Sequence, residues 1–337
     1  MDDLAPAWLP GGHAQTIWAA LFARRQFAPS FNKVRERWCA PDGDFIDVDK
    51  QNASSPHKPL MVLFHGLEGS SSSHYAMAFA DWAAEQDVNF ALPHFRGCSG
   101  VLNNGPRAYH SGDHQEINWI LSKLRQEHQQ VGGQTMVAAG VSLGGNALMR
   151  WAGEHGKQAL NTVDAIASIC APLDLTESGR AIGQGLNLQI YTRMFLRSMK
   201  PKAMSKLVQH PGLFDVDKLR AARNLYEFDN VFTAPVHGFK NADDYWAQAS
   251  AKPLMKQIKL PALALNARND PFVPVLSLPQ QNEVSSSVTL WQPEHGGHVG
   301  FVQGSWPGHV RGLPDAVGAW LMRTSGVSMS ERITLHG

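Results

Sequence analysis

The 337-residue sequence predicts an α/β fold with a mostly parallel central sheet flanked by helices. Three observations predict it. Short apolar runs alternate with helix-length segments over most of the chain. One of these runs leads through a Gly-x-Ser-x-Gly turn straight into a helix. A long helix-like stretch interrupts the alternation once, after the middle of the chain. An apolar share of 43% and a charged share of 18% fit an ordinary globular enzyme, and the length supplies one large domain, 1–337, with a sizeable core.

The first 50 residues read as an irregular arm followed by a hairpin around Pro41-Asp42-Gly43-Asp44. Leu60–Phe64, Asn89–Leu92, Met136–Val141, Ala165–Cys170, Leu260–Leu265 and Val288–Trp291 read as strands. They are short and apolar, as expected of parallel strands covered on both faces. Between several of them lie helix-length segments: His74–Gln86, fed by the serine loop Ser70 to Ser73, then Asp113–His128 and Leu143–His155. From about Leu175 to Lys259 the pattern is helical, with apolar-aromatic patches at Leu188–Leu196 and Leu225–Phe232 and punctuation by Pro211, Pro235 and Pro253. An insertion of this length after a mid-sheet strand is expected to form a helical cap, 175–255, over the strand ends.

A net charge of +1 without a basic block gives no electrostatic grip for nucleic acid. The three cysteines, Cys39, Cys98 and Cys170, lack CxxC spacing and read as reduced thiols rather than a disulfide framework or zinc site. The acidic start MDDLAPAWLPGG has no signal-peptide pattern, and no stretch approaches the roughly 18 apolar residues of a membrane span. The expectation is a cytoplasmic protein with no integral membrane segment; oligomeric state is left open.

The strongest chemical signal is Gly140-Val141-Ser142-Leu143-Gly144. A strand-to-helix turn this tight leaves no room for a Cβ two residues either side of the serine, which itself takes a strained conformation as an exposed nucleophile. The segment before it is strand-like and the segment after it helical, as the motif requires. Leu60–Phe64 runs into His65-Gly66-Leu67-Glu68-Gly69, a loop placed to donate one backbone N–H to an oxyanion. Leu67 and Leu143 are the candidate donors.

A carboxylate partner is expected at the end of a late strand. Asp270, leading into a proline-stiffened turn, fits best, with Asp174 as its rival. The base should follow one strand later, in Glu294-His295-Gly296-Gly297-His298-Val299-Gly300. His298 is preferred over His295, since the surrounding glycines make a flexible loop able to swing an imidazole towards Ser142. A metal reading of this histidine pair lacks a third ligand at a recognisable spacing. The order Ser142, Asp270, His298 is that of the α/β-hydrolase fold.

Taken together these segments resemble the YheT-like esterases of the α/β-hydrolase superfamily over roughly residues 7 to 325. The resemblance rests on Trp8 to Thr16 (WLPGGHAQT), Pro41 to Phe45, His65 to Gly69, Phe95 to Gly100 (FRGCSG), Tyr109 to Gly112 and Gly140 to Asn146 (GVSLGGN). Asp270-Pro271-Phe272, Gly296 to Phe301 and the segment from Phe228-Asp229 to Phe239 complete it. It implies esterase or lipase activity on short- or medium-chain acyl esters. Eukaryotic relatives include acylglycerol lipases, phospholipases and ethyl ester synthase/esterases. Some of those carry an N-terminal membrane anchor that this sequence does not show.

The expected function is therefore serine ester hydrolysis of a small-molecule acyl ester through an acyl-enzyme, with no cofactor and no metal. Acyl transfer to an alcohol uses the same residues, and a non-catalytic binding module of the same fold is the remaining alternative. Ile190, Tyr191, Phe195 and Phe232 are candidates to line an acyl pocket or to pack the cap on the core.

Overall fold

A computed structural model describes residues 5–25 and 33–327; the acidic start of the chain and the ends of the expected 1–337 domain lie outside them. Eight strands form one sheet: β1 (Val34–Cys39), β2 (Phe45–Gln51), β3 (Leu60–Phe64), β4 (Asn89–Pro93), β5 (Met136–Val141), β6 (Ala165–Ile169), β7 (Ala262–Leu265) and β8 (Val288–Trp291). Their order across the sheet is β1-β2-β4-β3-β5-β6-β7-β8. β1 and β2 form the expected hairpin, antiparallel to each other, and β2 is antiparallel to β4; every later pairing is parallel.

Alternate strand residues feed two cores. Val62, Phe64 and Ala138 face a layer that contains Ile117, Leu121, Leu148 and Trp151, from α3 (His114–Gln130) and α4 (Leu143–His155). Met61, Leu63 and Val137 face Phe79 and Trp82 of α2 (His74–Glu85) and Val317 and Leu321 of α12 (Gly312–Thr324). Both faces of β3, β5 and β7 are buried, which is why these strands have no polar side chain at any position rather than at alternate ones. Each fully buried side chain of leucine or phenylalanine size contributes roughly 1.5–3 kcal/mol.

The arm is not irregular throughout. Gly12–Leu21 forms a helix, α1, although its N-cap residue Gly11 (φ 79°) offers no side-chain cap. Contacts with the loops after β7 and β8, described below, hold it in place of local signals.

Between β6 and β7 the chain is helical: α5 (Leu175–Ile182), α6 (Gly185–Asn187), α7 (Arg193–Gln209), α8 (Val216–Ala221), α9 (Leu225–Phe228), α10 (Ala234–His237) and α11 (Ala242–Ala249). Two single π-helical turns, Leu188–Thr192 and Asp229–Thr233, are spliced into this stretch. It has small apolar clusters of its own, one around Leu196, Leu219, Phe228 and Phe232 and another around Leu175, Tyr245 and Trp246. Pro201 lies within α7 and Pro235 in the first turn of α10.

Candidate active site

β5 ends at Val141 and α4 begins at Leu143, so Ser142 alone makes the turn. Its backbone sits at φ 52°, ψ −117°, in the left-handed half of conformational space that costs a residue with a Cβ of order 1–3 kcal/mol. The neighbouring glycines are needed for space. A Cβ on Gly140 would stand 2.4 Å from the Gly144 carbonyl oxygen, and one on Gly144 would stand 2.6 Å from that of His65.

Ser142 Oγ lies 3.0 Å from His298 Nε2, and His298 Nδ1 lies 2.9 Å from Asp270 Oδ2. With the ring proton on Nδ1, that nitrogen donates to the carboxylate and Nε2 accepts from the serine hydroxyl. The second Asp270 oxygen accepts from the Phe272 N–H at 2.8 Å, which fixes the carboxylate's orientation. Phe272 lies against the imidazole, ring centroids 4.1 Å apart. The rivals are elsewhere. Asp174 caps α5, accepting from the Glu177 N–H, and His295 is exposed beside Asn269.

The loop after β3 passes directly under the serine: a Cβ on Gly66 would be 3.2 Å from Ser142 Cβ. Several bonds hold that loop. Gly66 N–H donates to Tyr75 Oη at 2.9 Å and Glu68 N–H donates to Tyr109 Oη at 2.9 Å. His65 donates from Nδ1 to the Gly66 carbonyl and accepts the Phe95 N–H at Nε2, at 2.8 and 3.0 Å. Burial pushes the His65 imidazole down to about 3, so the ring stays neutral and keeps both bonds. Glu68, with φ 56°, folds back to accept from Tyr109 Oη and to pair with Lys202 of α7 at 2.9 Å. Among the described residues no hydrogen bond engages the Leu67 N–H or the Leu143 N–H at the start of α4.

The glycines of the histidine loop act differently from expectation. Gly296 and Gly297 are buried, and a Cβ on Gly297 would stand 2.6 Å from the Gly12 carbonyl oxygen and 2.8 Å from Thr16 Oγ1. Gly297 allows the first turn of α1 to press against the loop, and Gly296 makes room for the Phe301 ring, 2.4 Å from where its Cβ would stand, so both serve close approach.

α1 then locks the loop by hydrogen bonds. His298 N–H donates to Thr16 Oγ1 at 2.8 Å. Gln15, 1% exposed, accepts at Oε1 from both Gly296 N–H (2.9 Å) and Asn269 Nδ2 (3.0 Å). Asn269 Oδ1 accepts from Gly297 N–H at 2.9 Å. The loops bearing Asp270 and His298 are thus bonded to each other and to α1. Beneath them, Val299 N–H donates to Cys170 Sγ, a thiol whose titration is pushed well up by burial and by Asp270.

A cavity of about 1160 Å³, mouth included, opens over Ser142, His298, Leu67 and Leu143 and is walled by α5, α7, α9, the second π-turn and α11. Phe195 and Phe232 line it as expected. Ile190 and Tyr191 do not: Ile190 is exposed, and Tyr191 is buried against Phe272 and bonded through its hydroxyl to His13 Nδ1. Among the described residues no cluster of three His, Cys, Asp or Glu side chains stands together in the manner of a metal site.

Over residues 59–305 the chain matches the family model of the alpha/beta hydrolase fold. YheT of Escherichia coli, whose name carries a provisional esterase assignment, is 35% identical over 92% of this chain and 89% of its own length. The chain belongs to the α/β-hydrolase family, in the group that contains YheT. Phospholipase ABHD3 of Mus musculus is 27% identical over 74% of this chain and 60% of its own length. Monoacylglycerol lipase of Saccharomyces cerevisiae is 28% identical over 81% of this chain and 61% of its own length. The chain thus spans about three fifths of these two eukaryotic relatives. Among solved structures, the Pyrococcus furiosus esterase Pf2001 superposes with a TM-score of 0.55 at 16% identity, covering 89% of this chain and 98% of that one, a likeness of fold.

In this hydrolase the polar residues Gln15, Thr16 and Asn269, which bind the two strand-end loops together, were not among the expected site residues, nor was the Glu68–Lys202 pair. The segment carrying Gln15 and Thr16 is nevertheless one of those on which the family resemblance rests. Among the described residues no helix is long and apolar enough to cross a membrane.

Proposed function

We propose that this hydrolase cleaves carboxylic esters of small molecules with short- or medium-chain acyl groups, in the cytoplasm, through a covalent acyl-enzyme on Ser142. The observation that carries the reading is the hydrogen-bonded series Ser142 Oγ, His298, Asp270 at 3.0 and 2.9 Å, at the floor of a largely apolar cavity. The names of the relatives, esterase, phospholipase and monoacylglycerol lipase, support the class of bond. The three cysteines are free thiols, in keeping with a reducing compartment.

In this reading Ser142 Oγ attacks the ester carbonyl carbon as its proton passes to His298 Nε2. Asp270 holds the imidazole in the tautomer that can accept this proton and stabilises the imidazolium that results. The unengaged N–H groups of Leu67 and Leu143 receive the tetrahedral oxyanion, each donor contributing roughly 3–4 kcal/mol to the transition state, with the N-terminus of α4 adding its positive dipole end. His298 returns the proton to the leaving alcohol, and water then repeats the sequence on the acyl-enzyme. The helical segment 175–255 acts as a cap that shapes the cavity for an acyl chain.

The test is hydrolysis of p-nitrophenyl esters of graded chain length by the wild type and by Ser142→Ala. Turnover that peaks at one chain length and disappears in the variant supports the reading and sizes the pocket. A wild type that neither turns over any ester nor takes a fluorophosphonate label at Ser142 would reject it.

A further inference from the structure

One of the polar stretches of the cavity wall has no use in the proposed ester chemistry. Ser178 of α5, Asp229 and Thr233 of the second π-turn and Trp246 of α11 all line the cavity that contains Ser142. They form one patch of wall. A Cβ on Gly179 would stand 2.6 Å from the Trp246 ring, so the α5 backbone is pressed against that indole, and Trp246 Nε1 donates to Asp229 Oδ2 at 2.8 Å.

We propose that this patch is a subsite for a hydroxyl group carried by the substrate, recognised by Ser178 and Asp229. The inference rests on the esterase reading of the site. The Ser178 side chain is 95% buried (5% exposed), and its Oγ has no hydrogen-bond partner. Other buried hydroxyls of this helical segment are satisfied: Thr192 donates to the Ile182 carbonyl and Ser250 to that of Trp246, both at 2.7 Å. A buried hydroxyl left without a hydrogen bond is destabilising, and a bound partner would relieve that cost.

Asp229 is the complementary half. It is buried, and each carboxylate oxygen accepts one hydrogen bond, from Thr233 Oγ1 at 2.6 Å and from Trp246 Nε1. Among the described residues it forms no ion pair, and each oxygen retains a further lone pair. Burial pushes its carboxyl up to about 6. Stapling the π-turn to α11 accounts for the two bonds it makes, but not for the unpartnered Ser178 on α5, whose other side chains at the cavity, Leu175 and Ile182, are apolar. A substrate hydroxyl has both roles to offer, a donor for Asp229 and an acceptor for Ser178. An alkyl chain satisfies neither, and a site built around such bonds discriminates against the analogue that lacks them.

The experiment measures kcat/KM for matched esters with wild type, Ser178→Ala and Asp229→Asn. On the acyl side, p-nitrophenyl octanoate is compared with p-nitrophenyl hydroxyoctanoates bearing the hydroxyl at each carbon in turn. On the alcohol side, propyl octanoate is compared with monooctanoylglycerol. The expected result is a preference of about tenfold or more for the hydroxyl-bearing member of one pair, falling about tenfold in each variant. The pair that responds tells which side of the ester lies in the patch. Ser178→Ala should also melt at or above the wild-type temperature, since it removes an unsatisfied group, and it decides the matter alone if Asp229→Asn does not fold. Turnover without any such preference, or a preference unchanged in the variants, overturns the subsite and leaves the esterase standing. Absence of turnover on every ester overturns both.

Discussion

The cavity has a floor and a roof, and they are built on different principles. The floor consists of the loops after β3, β5, β7 and β8. Steric exclusion at glycines and a closed set of mostly uncharged hydrogen bonds hold it, running through His65, Tyr75, Gln15, Thr16 and Asn269. The roof, α5 to α11, is held by small apolar clusters and two π-turns, and reaches the loop after β3 through the Lys202–Glu68 ion pair. A floor with one allowed arrangement suits transition-state chemistry, where an error of about 1 Å can cost about 100-fold. A roof assembled from greasy patches suits choice of substrate. Changes to the floor should therefore appear in kcat, and changes to the roof in KM, in selectivity or in stability.

The sharpest contrast comes from Asp270→Asn. The remaining side-chain oxygen can still accept from Phe272 N–H, so the fold should persist, but Nδ1 of His298 loses its carboxylate. A fall of about 10⁴ in kcat is expected in steady-state ester hydrolysis, with the melting temperature nearly unchanged. A loss of less than tenfold would mean that Asp270 does not orient His298.

The second prediction concerns stability and lies in the roof. Burial raises the Asp229 carboxyl from an ordinary value near 3.8 to about 6. Between those pH values the folded protein holds a proton that the unfolded chain has lost. The contribution is therefore fully present below about pH 4 and is lost as pH rises through 6, amounting to about 3 kcal/mol by pH 7. In urea titrations across that range, Asp229→Asn should gain on the wild type by up to about this amount as pH rises. Parallel stability curves for the two proteins would show that Asp229 ionises freely and that the roof buries no such charge.

The same division explains what the sequence discloses. The floor's proposed reacting residues stand out in the sequence because tight turns demand particular residues: Gly140 and Gly144 flank Ser142 for want of space, and Asp270 and His298 follow strands whose apolar runs are plain. What holds them is not legible. Gln15 and Thr16 are polar residues in an arm without a capping signal, and in sequence they look like solvated positions. Their burial arises from contacts with loops more than 250 residues away along the chain. The roof's helical character is legible, but its facing is not. The π-turn at Leu188–Thr192 inserts an extra residue per turn and shifts the phase, so that Ile190 points out where an unbroken periodicity would not reveal it. Inverting the role of Gly296 and Gly297, from freedom to close approach, is the same lesson: glycine reports a missing Cβ, and only the neighbours say why it is missing.

Thr16→Val tests whether the arm belongs to the floor. The substitution keeps the volume and removes the acceptor for His298 N–H. A fall in kcat of about 10- to 100-fold with KM close to wild type is expected, and Thr16→Ser should restore most of it. A change confined to KM would assign the arm to substrate binding.

Lys202→Met carries the smallest expected effect and tests a charged link between roof and floor. Lys202 is about a third exposed, and its partner Glu68 is held independently by Tyr109. Solvent screening therefore leaves the pair little to contribute, and a change of about threefold in kcat/KM is expected. High salt should reproduce that change in the wild type and have little effect on the variant, and exchanging the charges by Lys202→Glu with Glu68→Lys should recover part of it. A loss in kcat as large as that of Thr16→Val would mean that the loop after β3 hangs from the roof. In that case the floor would not be the self-contained unit that its hydrogen bonds describe, and movement of the helices would reach Leu67 directly.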